Sequence, residues 1–294
     1  MEIGVSFPRD GLQNDPAAMR DFAQAAESLG YAHISMGDHV VGRAGLQDTG
    51  RPLIDAFVLF AHLGAVTSRI RFVFGVMPLP QRQTVLVAKQ AASLDVMTGG
   101  RLGLAFAVGW NALEYEALNE NFHNRGRRMD EQIAVMRALW AHDVVDFAGE
   151  WHRIDGAGID PLPIQRPIPI WMAGYAESAL RRVARLADGW LPHSPPGVAP
   201  GAGPEVVGET LARVRSYVAE AGRDPAKLEV NGAVAMRDRT PDEWRKRLDG
   251  WRQLAATHVT VNTATDDRPM LASHLQALRR FKQEGMSGEE GKSE

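Results

Sequence analysis

The sequence contains no cysteine among its 294 residues. This absence excludes disulfide bonds, thiolate zinc sites and cysteine nucleophiles, and it suits a reducing cytoplasm. The chain also lacks an apolar run of the roughly 18 residues that a membrane-spanning helix requires, and it begins with a strand-like pattern instead of a signal peptide. We therefore expect a cytoplasmic protein with no membrane partner.

Neither sign of charge is in large excess, and several common motifs are missing. The 33 Lys and Arg residues face 36 Asp and Glu residues, so the basic surplus that neutralises phosphates is absent and we expect no nucleic-acid partner. The sequence has no Gly-x-Gly-x-x-Gly, Gly-x-Ser-x-Gly or His-Glu-x-x-His. These are the usual signatures of a dinucleotide-binding sheet, a serine hydrolase and a zinc hydrolase.

What the sequence does contain is an alternation of short β-branched runs with longer amphipathic runs, which is typical of strand–helix units around a parallel sheet. The predicted strands are Glu2–Phe7, Ala32–Met36, Arg71–Met77, Leu102–Val108, Ile168–Ala173, Gly189–Pro192, Leu228–Val234 and His258–Asn262. Eight such units predict an α/β fold, a (β/α)8 TIM barrel that forms a single domain over residues 1–284. An insertion of about residues 109–166 follows the fourth strand, and residues 285–294 are expected to form a disordered tail.

The second predicted strand ends in Gly37-Asp38-His39. In barrels of this kind the active site lies at the carboxyl ends of the strands, and an imidazole there can give or take a proton near neutral pH. The structural alternative is that His39 only caps the strand. Asp38, His39 and His193 could also converge on a metal, but the histidines lack the spacing of common metal sites, so we predict none.

The third predicted strand ends in an unusual way. Gly75 interrupts a β-branched and aromatic run, and Val76, Met77 and two prolines follow it. A glycine inside a strand marks a bulge or a close approach of another group, and an apolar bulge at a barrel mouth suits a flat ring. The alternative is a simple turn into the next helix.

Other strand ends supply the remaining candidate ligand-binding residues. Phe7 ends the first strand, and Gly109 and Trp110 follow the fourth, where Trp110 contacts either a ligand or the underside of the insertion. The turn Ala173-Gly174-Tyr175 precedes a helix. Its small residues fit either a phosphate held by backbone N–H groups or a tight turn.

Several blocks of the sequence together resemble the bacterial-luciferase-like superfamily of flavin- or deazaflavin-dependent oxidoreductases. They are LVAKQAASLDVMTGGRLGLAFAVGWNALEYEALN at 86–119, RGRRMDEQIAVMRALW at 125–140 and ADGWLP at 187–192, and they occur in the order found in that superfamily. The similarity extends to about residue 195 and is weaker beyond it. The resemblance implies a barrel that holds an isoalloxazine-like ring at the strand ends, and a homodimer that pairs through its second and third helices.

The resemblance also implies roles for particular residues. Gly75-Val76 matches a bulge in which a non-proline cis peptide backs the ring, and Asp38-His39 matches a pair that contacts the ring in deazaflavin-dependent members. It therefore implies coenzyme F420 as cofactor, with His39 as the proton donor or acceptor and Asp38 as its orienting partner.

The resemblance leaves FMN open as an alternative cofactor. Many FMN-dependent members bind the phosphate with a serine at the position of Ala176, although Ser178 is a nearby substitute. We expect an F420-dependent enzyme that transfers a hydride to or from a small organic substrate. The alternatives are a two-component FMN monooxygenase, a catalytically silent flavin-binding member, and an isomerase or aldolase acting on a sugar phosphate.

Overall fold

Eight parallel strands close into a barrel in the computed structural model, which describes residues 1–8, 11–12, 15–42, 54–192, 203–264 and 270–286. The barrel strands are β1 (Glu2–Ser6), β2 (His33–Met36), β3 and β4 (Arg71–Phe74 and Met77–Pro78, two parts of one strand), β5 (Leu102–Ala107), β8 (Ile170–Ala173), β9 (Gly189–Leu191), β10 (Glu229–Ala235) and β11 (His258–Asn262). They follow the order β3-β2-β1-β11-β10-β9-β8-β5, and the pairing of β3 with β5 closes the ring. The predicted (β/α)8 barrel is confirmed.

Helices follow the strands and surround the barrel. They are α1 (Pro16–Ser28), α2 (Ala56–Ala65), α3 (Thr84–Thr98), α4 (Ala112–Ala117), α5 (Arg125–Ala141), α6 (Glu177–Leu186), α7 (Pro204–Glu220), α8 (Pro241–Gln253) and α9 (Leu271–Arg280). Local sequence sets several of their ends. Asp15 accepts the first N–H groups of α1 ahead of Pro16, and Gly99, at a φ of 71°, ends α3.

A final helical turn spans Phe281–Gly285, and residues 287–294, for which a disordered tail is predicted, lie outside the described residues. The same holds for His193, the third member of the metal site considered above. Within the described ranges, no helix is both long and apolar enough to cross a membrane.

The insertion after β5 consists of α4, α5 and an antiparallel hairpin of β6 (Val145–Ala148) and β7 (Arg153–Ala157). One carboxylate binds the hairpin to α5. Glu131 accepts the backbone N–H groups of Glu150, Trp151 and His152 at 2.7–2.9 Å, and it also accepts His152 Nδ1 at 2.7 Å. The other nitrogen of that ring lies 2.5 Å from the Thr84 hydroxyl at the start of α3, so the hairpin is also held against the barrel helices.

Candidate active site

The break between β3 and β4 lies beside the end of β2. Gly75 N–H donates to the carbonyl of Met36 at 2.7 Å, and Asp38 N–H donates to the carbonyl of Val76 at 3.1 Å. The Gly75-Val76 peptide is cis, as predicted. A Cβ at position 75 would lie 2.2 Å from Ser35 Oγ, so a larger residue here would force the Ser35 hydroxyl to rotate away.

The Asp38 carboxylate is bound to an arginine. Its side chain is 3% exposed, and Arg82 Nη2 lies 2.5 Å from Asp38 Oδ2 and 3.1 Å from Asp55 Oδ2. Burial raises the pKa of Asp38, while the charge and hydrogen bond of Arg82 act against that rise. The prediction that Asp38 orients His39 is not what the structure shows, because among the described residues the hydrogen-bond partner of Asp38 is Arg82.

His39 is held instead by Glu114 of α4. Its Nδ1 lies 3.2 Å from Glu114 Oε1, which also accepts Val40 N–H at 2.9 Å, while Gln81 donates to Oε2 at 3.2 Å. The Glu114 side chain is 1% exposed. Burial alone would raise the pKa of Glu114, but hydrogen bonds from His39, Gln81 and Val40 outweigh it and lower the pKa.

The charge state of Glu114 determines which nitrogen of His39 carries the proton. An ionised carboxylate only accepts hydrogen bonds, so Nδ1 of His39 is the donor, and Nε2 has no hydrogen-bond partner among the described residues. This role of Glu114 is not predicted from the sequence. Its position on a short helix directly after a barrel strand is the only sequence signal that points to the site.

Trp110 lies beside His39 at the mouth of the barrel. Its indole is 61% exposed, and its ring centre lies 6.3 Å from the imidazole in an edge-to-face arrangement. The alternative that Trp110 is buried under the insertion is therefore wrong. Gly109 precedes it with a φ of 72°, and a Cβ there would lie 3.1 Å from Pro78 Cβ. This close packing holds the loop against β4.

The turn Ala173-Gly174-Tyr175 connects β8 to α6. Gly174 has a φ of 138°, and its carbonyl accepts Trp190 Nε1 at 3.3 Å. Burial raises the pKa of Tyr175 to about 12, and its hydroxyl oxygen is buried without a partner among the described residues. Helix α6 begins at Glu177, and its cap residue Ala176 provides no side-chain hydrogen bond to the first turn.

A cavity of about 440 Å³ opens at the same end of the barrel. Two of the predicted cofactor-binding residues, Phe7 and Gly75, line it. Gly37 also lines it, but Asp38, His39, Trp110 and the turn after β8 are not among the lining residues. Met77 is fully buried in the main hydrophobic core, and Val76 packs on the apolar cluster inside the barrel.

The chain belongs to the luciferase-like family. The family described as luciferase-like monooxygenase matches residues 1–290. Members of this family are oxidoreductases and monooxygenases. An FMNH(2)-dependent enzyme is among the proteins similar in sequence, and an F420-dependent enzyme is among those similar in fold.

Two relatives show the range of sequence similarity. An uncharacterized protein of Mycobacterium tuberculosis is 39% identical over 226 residues, which cover 70% of this chain and 75% of that protein. An FMNH(2)-dependent dimethylsulfone monooxygenase of Pseudomonas fluorescens is 30% identical over 223 residues, which cover 74% of this chain and 57% of that enzyme.

Two solved structures share the fold over nearly the whole chain. The monooxygenase RslO1 from Streptomyces bottropensis has a TM-score of 0.79 at 22% identity and covers 97% of this chain and 99% of its own. The coenzyme F420-dependent tetrahydromethanopterin reductase from Methanopyrus kandleri has a TM-score of 0.77 at 14% identity, covering 97% of this chain and 98% of its own.

Proposed function

We propose that this protein is an F420-dependent oxidoreductase that transfers a hydride between C5 of the deazaflavin and a small organic substrate. The observation that carries the proposal is the pair His39–Glu114, in which a buried carboxylate holds Nδ1, while Nε2 has no hydrogen-bond partner among the described residues. When bound, F420 supplies the carbon that gives or accepts the hydride. Reduction or oxidation of an organic substrate by hydride also moves a proton, and His39 is positioned to carry it.

Several features at the carboxyl end of the barrel fit such a cofactor. Phe7 and Gly75-Val76 would support the ring, and the exposed indole of Trp110 provides a further apolar face. The backbone from Gly174 onward would hold the phosphate end, since no side chain caps the first turn of α6. The buried hydroxyl of Tyr175, unpartnered among the described residues, is a polar atom for which a bound ligand could provide a partner.

The residues around His39 have separate tasks in this proposal. Glu114 fixes the orientation and tautomer of the imidazole, and Nε2 of His39 donates or accepts the proton. Asp38 would contact the ring, and because Arg82 binds its carboxylate, we assign the proton to His39 and not to Asp38.

A two-component FMN monooxygenase is the second candidate, and the 30% identity to the dimethylsulfone monooxygenase favours it. Titration of the purified protein with F420 and with FMN, followed by fluorescence, distinguishes the two. We expect F420 to bind at least about tenfold more tightly. Tighter binding of FMN, with oxygen consumed by the reduced complex, would replace hydride transfer by oxygenation.

The role of His39 is tested by His39→Ala, with His142→Ala, an exposed histidine on the insertion, as the matched control. Oxidation of bound reduced F420 by a panel of ketones and enones is the assay. We expect turnover to fall by about 100-fold in His39→Ala and to stay unchanged in the control. If no acceptor oxidises the bound cofactor faster than the free cofactor, the protein is a silent member of the family.

We also propose that the protein is a homodimer. Helix α3 carries the exposed apolar residues Val85, Leu86, Val96 and Met97, and Val58 is exposed on the adjacent α2. Exposed apolar residues clustered on neighbouring helices are typical of a surface that another protein covers. A second copy of the chain is the partner that we propose.

A further inference from the structure

The part of the cavity wall formed by β10 and β11 has a different character from the part near Gly75. It presents the side chains of Asn231 and Thr260 from the interior of the barrel. Among the described residues that line the cavity, none is an Asp, Glu, Lys or Arg. The single titratable side chain among these lining residues is that of His274, whose Nδ1 lies 2.9 Å from the Thr263 hydroxyl. Because an unpaired charge is costly to bury, this lining favours an uncharged ligand.

A chain of hydrogen bonds fixes the amide of Asn231. The fully buried His33 has its Nε2 2.9 Å from Thr260 Oγ1, and the Thr260 hydroxyl donates to Asn231 Oδ1 at 3.1 Å. A hydroxyl has one proton, so the Thr260 oxygen must accept from Nε2 of His33. Burial lowers the pKa of His33 to about 3, which keeps the ring neutral at physiological pH.

This arrangement leaves the amide nitrogen of Asn231 without a partner. Asn231 is 2% exposed, its Oδ1 is used by Thr260, and Nδ2 has no hydrogen-bond partner among the described residues. A buried donor without a partner costs about 1–3 kcal/mol, and such groups are rare in proteins. Its position in the wall of a cavity suggests that a ligand supplies the acceptor.

We infer that Asn231 binds the substrate, and that the substrate is a small uncharged molecule whose carbonyl-type oxygen accepts a hydrogen bond from Nδ2. The substrate would share the cavity of about 440 Å³ with the cofactor ring, which favours a small molecule. This inference rests on the proposed function, because it places the substrate beside the cofactor. Asn231 would determine specificity, whereas His39 would exchange the proton.

The test uses cyclohexanone and methylenecyclohexane, which have the same shape and differ in whether an oxygen is present. Cyclohexanecarboxylate is the charged probe. Binding is followed by the ¹⁵N–¹H signals of the Asn231 side-chain amide in the intact protein. We expect cyclohexanone to shift these signals and to bind at least about fivefold more tightly than either other probe. Equal affinity for the first two probes, tighter binding of the carboxylate, or an unmoved Asn231 signal would overturn the inference.

Variants separate the hydrogen bond from the shape of the cavity. Asn231→Ala should weaken cyclohexanone binding by about tenfold and abolish the preference over methylenecyclohexane. Thr260→Val, which keeps the side-chain shape, should weaken cyclohexanone binding less than Asn231→Ala does. Asn121→Ala, in an exposed turn, should leave cyclohexanone binding unchanged. If Asn231→Ala does not fold, the signals of the unmodified protein still decide the question.

A competition experiment distinguishes failure of this inference from failure of the proposed function. Cyclohexanone binding is measured with and without saturating F420. Binding of both together supports the inference, whereas exclusion of the ketone by F420 shows that the cofactor occupies the Asn231 wall and overturns it. If F420 does not bind at all, the proposed function is wrong, while the ketone titration still tests Asn231 on its own.

Discussion

Glu114 and His39 are 75 positions apart in the chain, yet one hydrogen bond joins them at the barrel mouth. We predict that Glu114→Gln lowers kcat by at least about tenfold, because the amide cannot hold His39 in a single tautomer. F420 affinity should change by less than about twofold. The ¹⁵N chemical shifts of the His39 ring should show a mixture of tautomers, a change that a merely structural role would not produce.

Glu116→Gln is the matched control, since Glu116 is an exposed residue of the same helix. Its kcat and its His39 shifts should equal those of the unmodified protein. Equal loss of kcat in both variants would show that α4 as a whole, and not the contact of Glu114 with His39, supports turnover.

His33 makes the stability of the protein depend on pH. Burial lowers its pKa to about 3, whereas in the unfolded chain it takes up a proton below about pH 6.5. The unfolded state therefore binds more protons between these values. Protonation of His33 therefore does not lower the free energy of unfolding above about pH 6.5. Between about pH 6.5 and pH 3, it lowers the free energy of unfolding by about 1.4 kcal/mol for each pH unit.

Urea denaturation of the unmodified protein and of His33→Gln at pH 7.5, 5.5 and 4.5 measures this contribution. The free energy of unfolding should fall more steeply in the unmodified protein, because glutamine does not titrate. Parallel pH dependences in the two proteins would contradict the prediction.

At the scale of elements, Glu131 joins the hairpin of β6 and β7 to α5. Burial would raise its pKa, but the hydrogen bonds from His152, Trp151 and Glu150 outweigh that effect and lower it. Glu131→Gln should therefore weaken the hairpin, with a local cost of about 1–3 kcal/mol. Hydrogen exchange at the amides of Glu150, Trp151 and His152 should accelerate accordingly.

Exchange in the barrel strands should stay unchanged in Glu131→Gln, since the hairpin is outside the barrel sheet. Glu150→Gln is the control for removing a charge, because Glu150 is exposed and the ion pair of its carboxylate with Arg127 is long, at 3.4 Å. Slow exchange at the three hairpin amides of Glu131→Gln would contradict the assigned role.

The periodicity of the sequence predicts the order of the elements well and their interruptions less well. The third strand is predicted over Arg71–Met77, and the structure divides it into Arg71–Phe74 and Met77–Pro78. Gly75 is the signal that this strand is irregular. The backbone bonds that define the break are formed with β2, and strand periodicity contains no information on that contact.

At the scale of the whole molecule, the exposed face of α2 and α3 predicts the oligomeric state. Leu86→Glu combined with Met97→Glu should convert a dimer into a monomer, because two buried charges oppose association. Sedimentation equilibrium measures the change. Val144→Glu, at an exposed apolar residue of the insertion, should leave the dimer intact. A monomer in the unmodified protein would exclude the proposed interface.

The sequence by itself determined the eight strand–helix units and the strand ends on which Asp38, His39 and Gly75 lie, because local periodicity and glycine positions reflect burial and backbone geometry. Only the tertiary structure decided the partners of these residues. Asp38 and His39 are adjacent in sequence and suggested a pair, but the fold brings a different distant residue to each of them. Asp38 thus binds Arg82, 44 positions away, and His39 binds Glu114. The bond between His33 and Thr260 spans 227 positions, and only closure of the barrel brings such residues together.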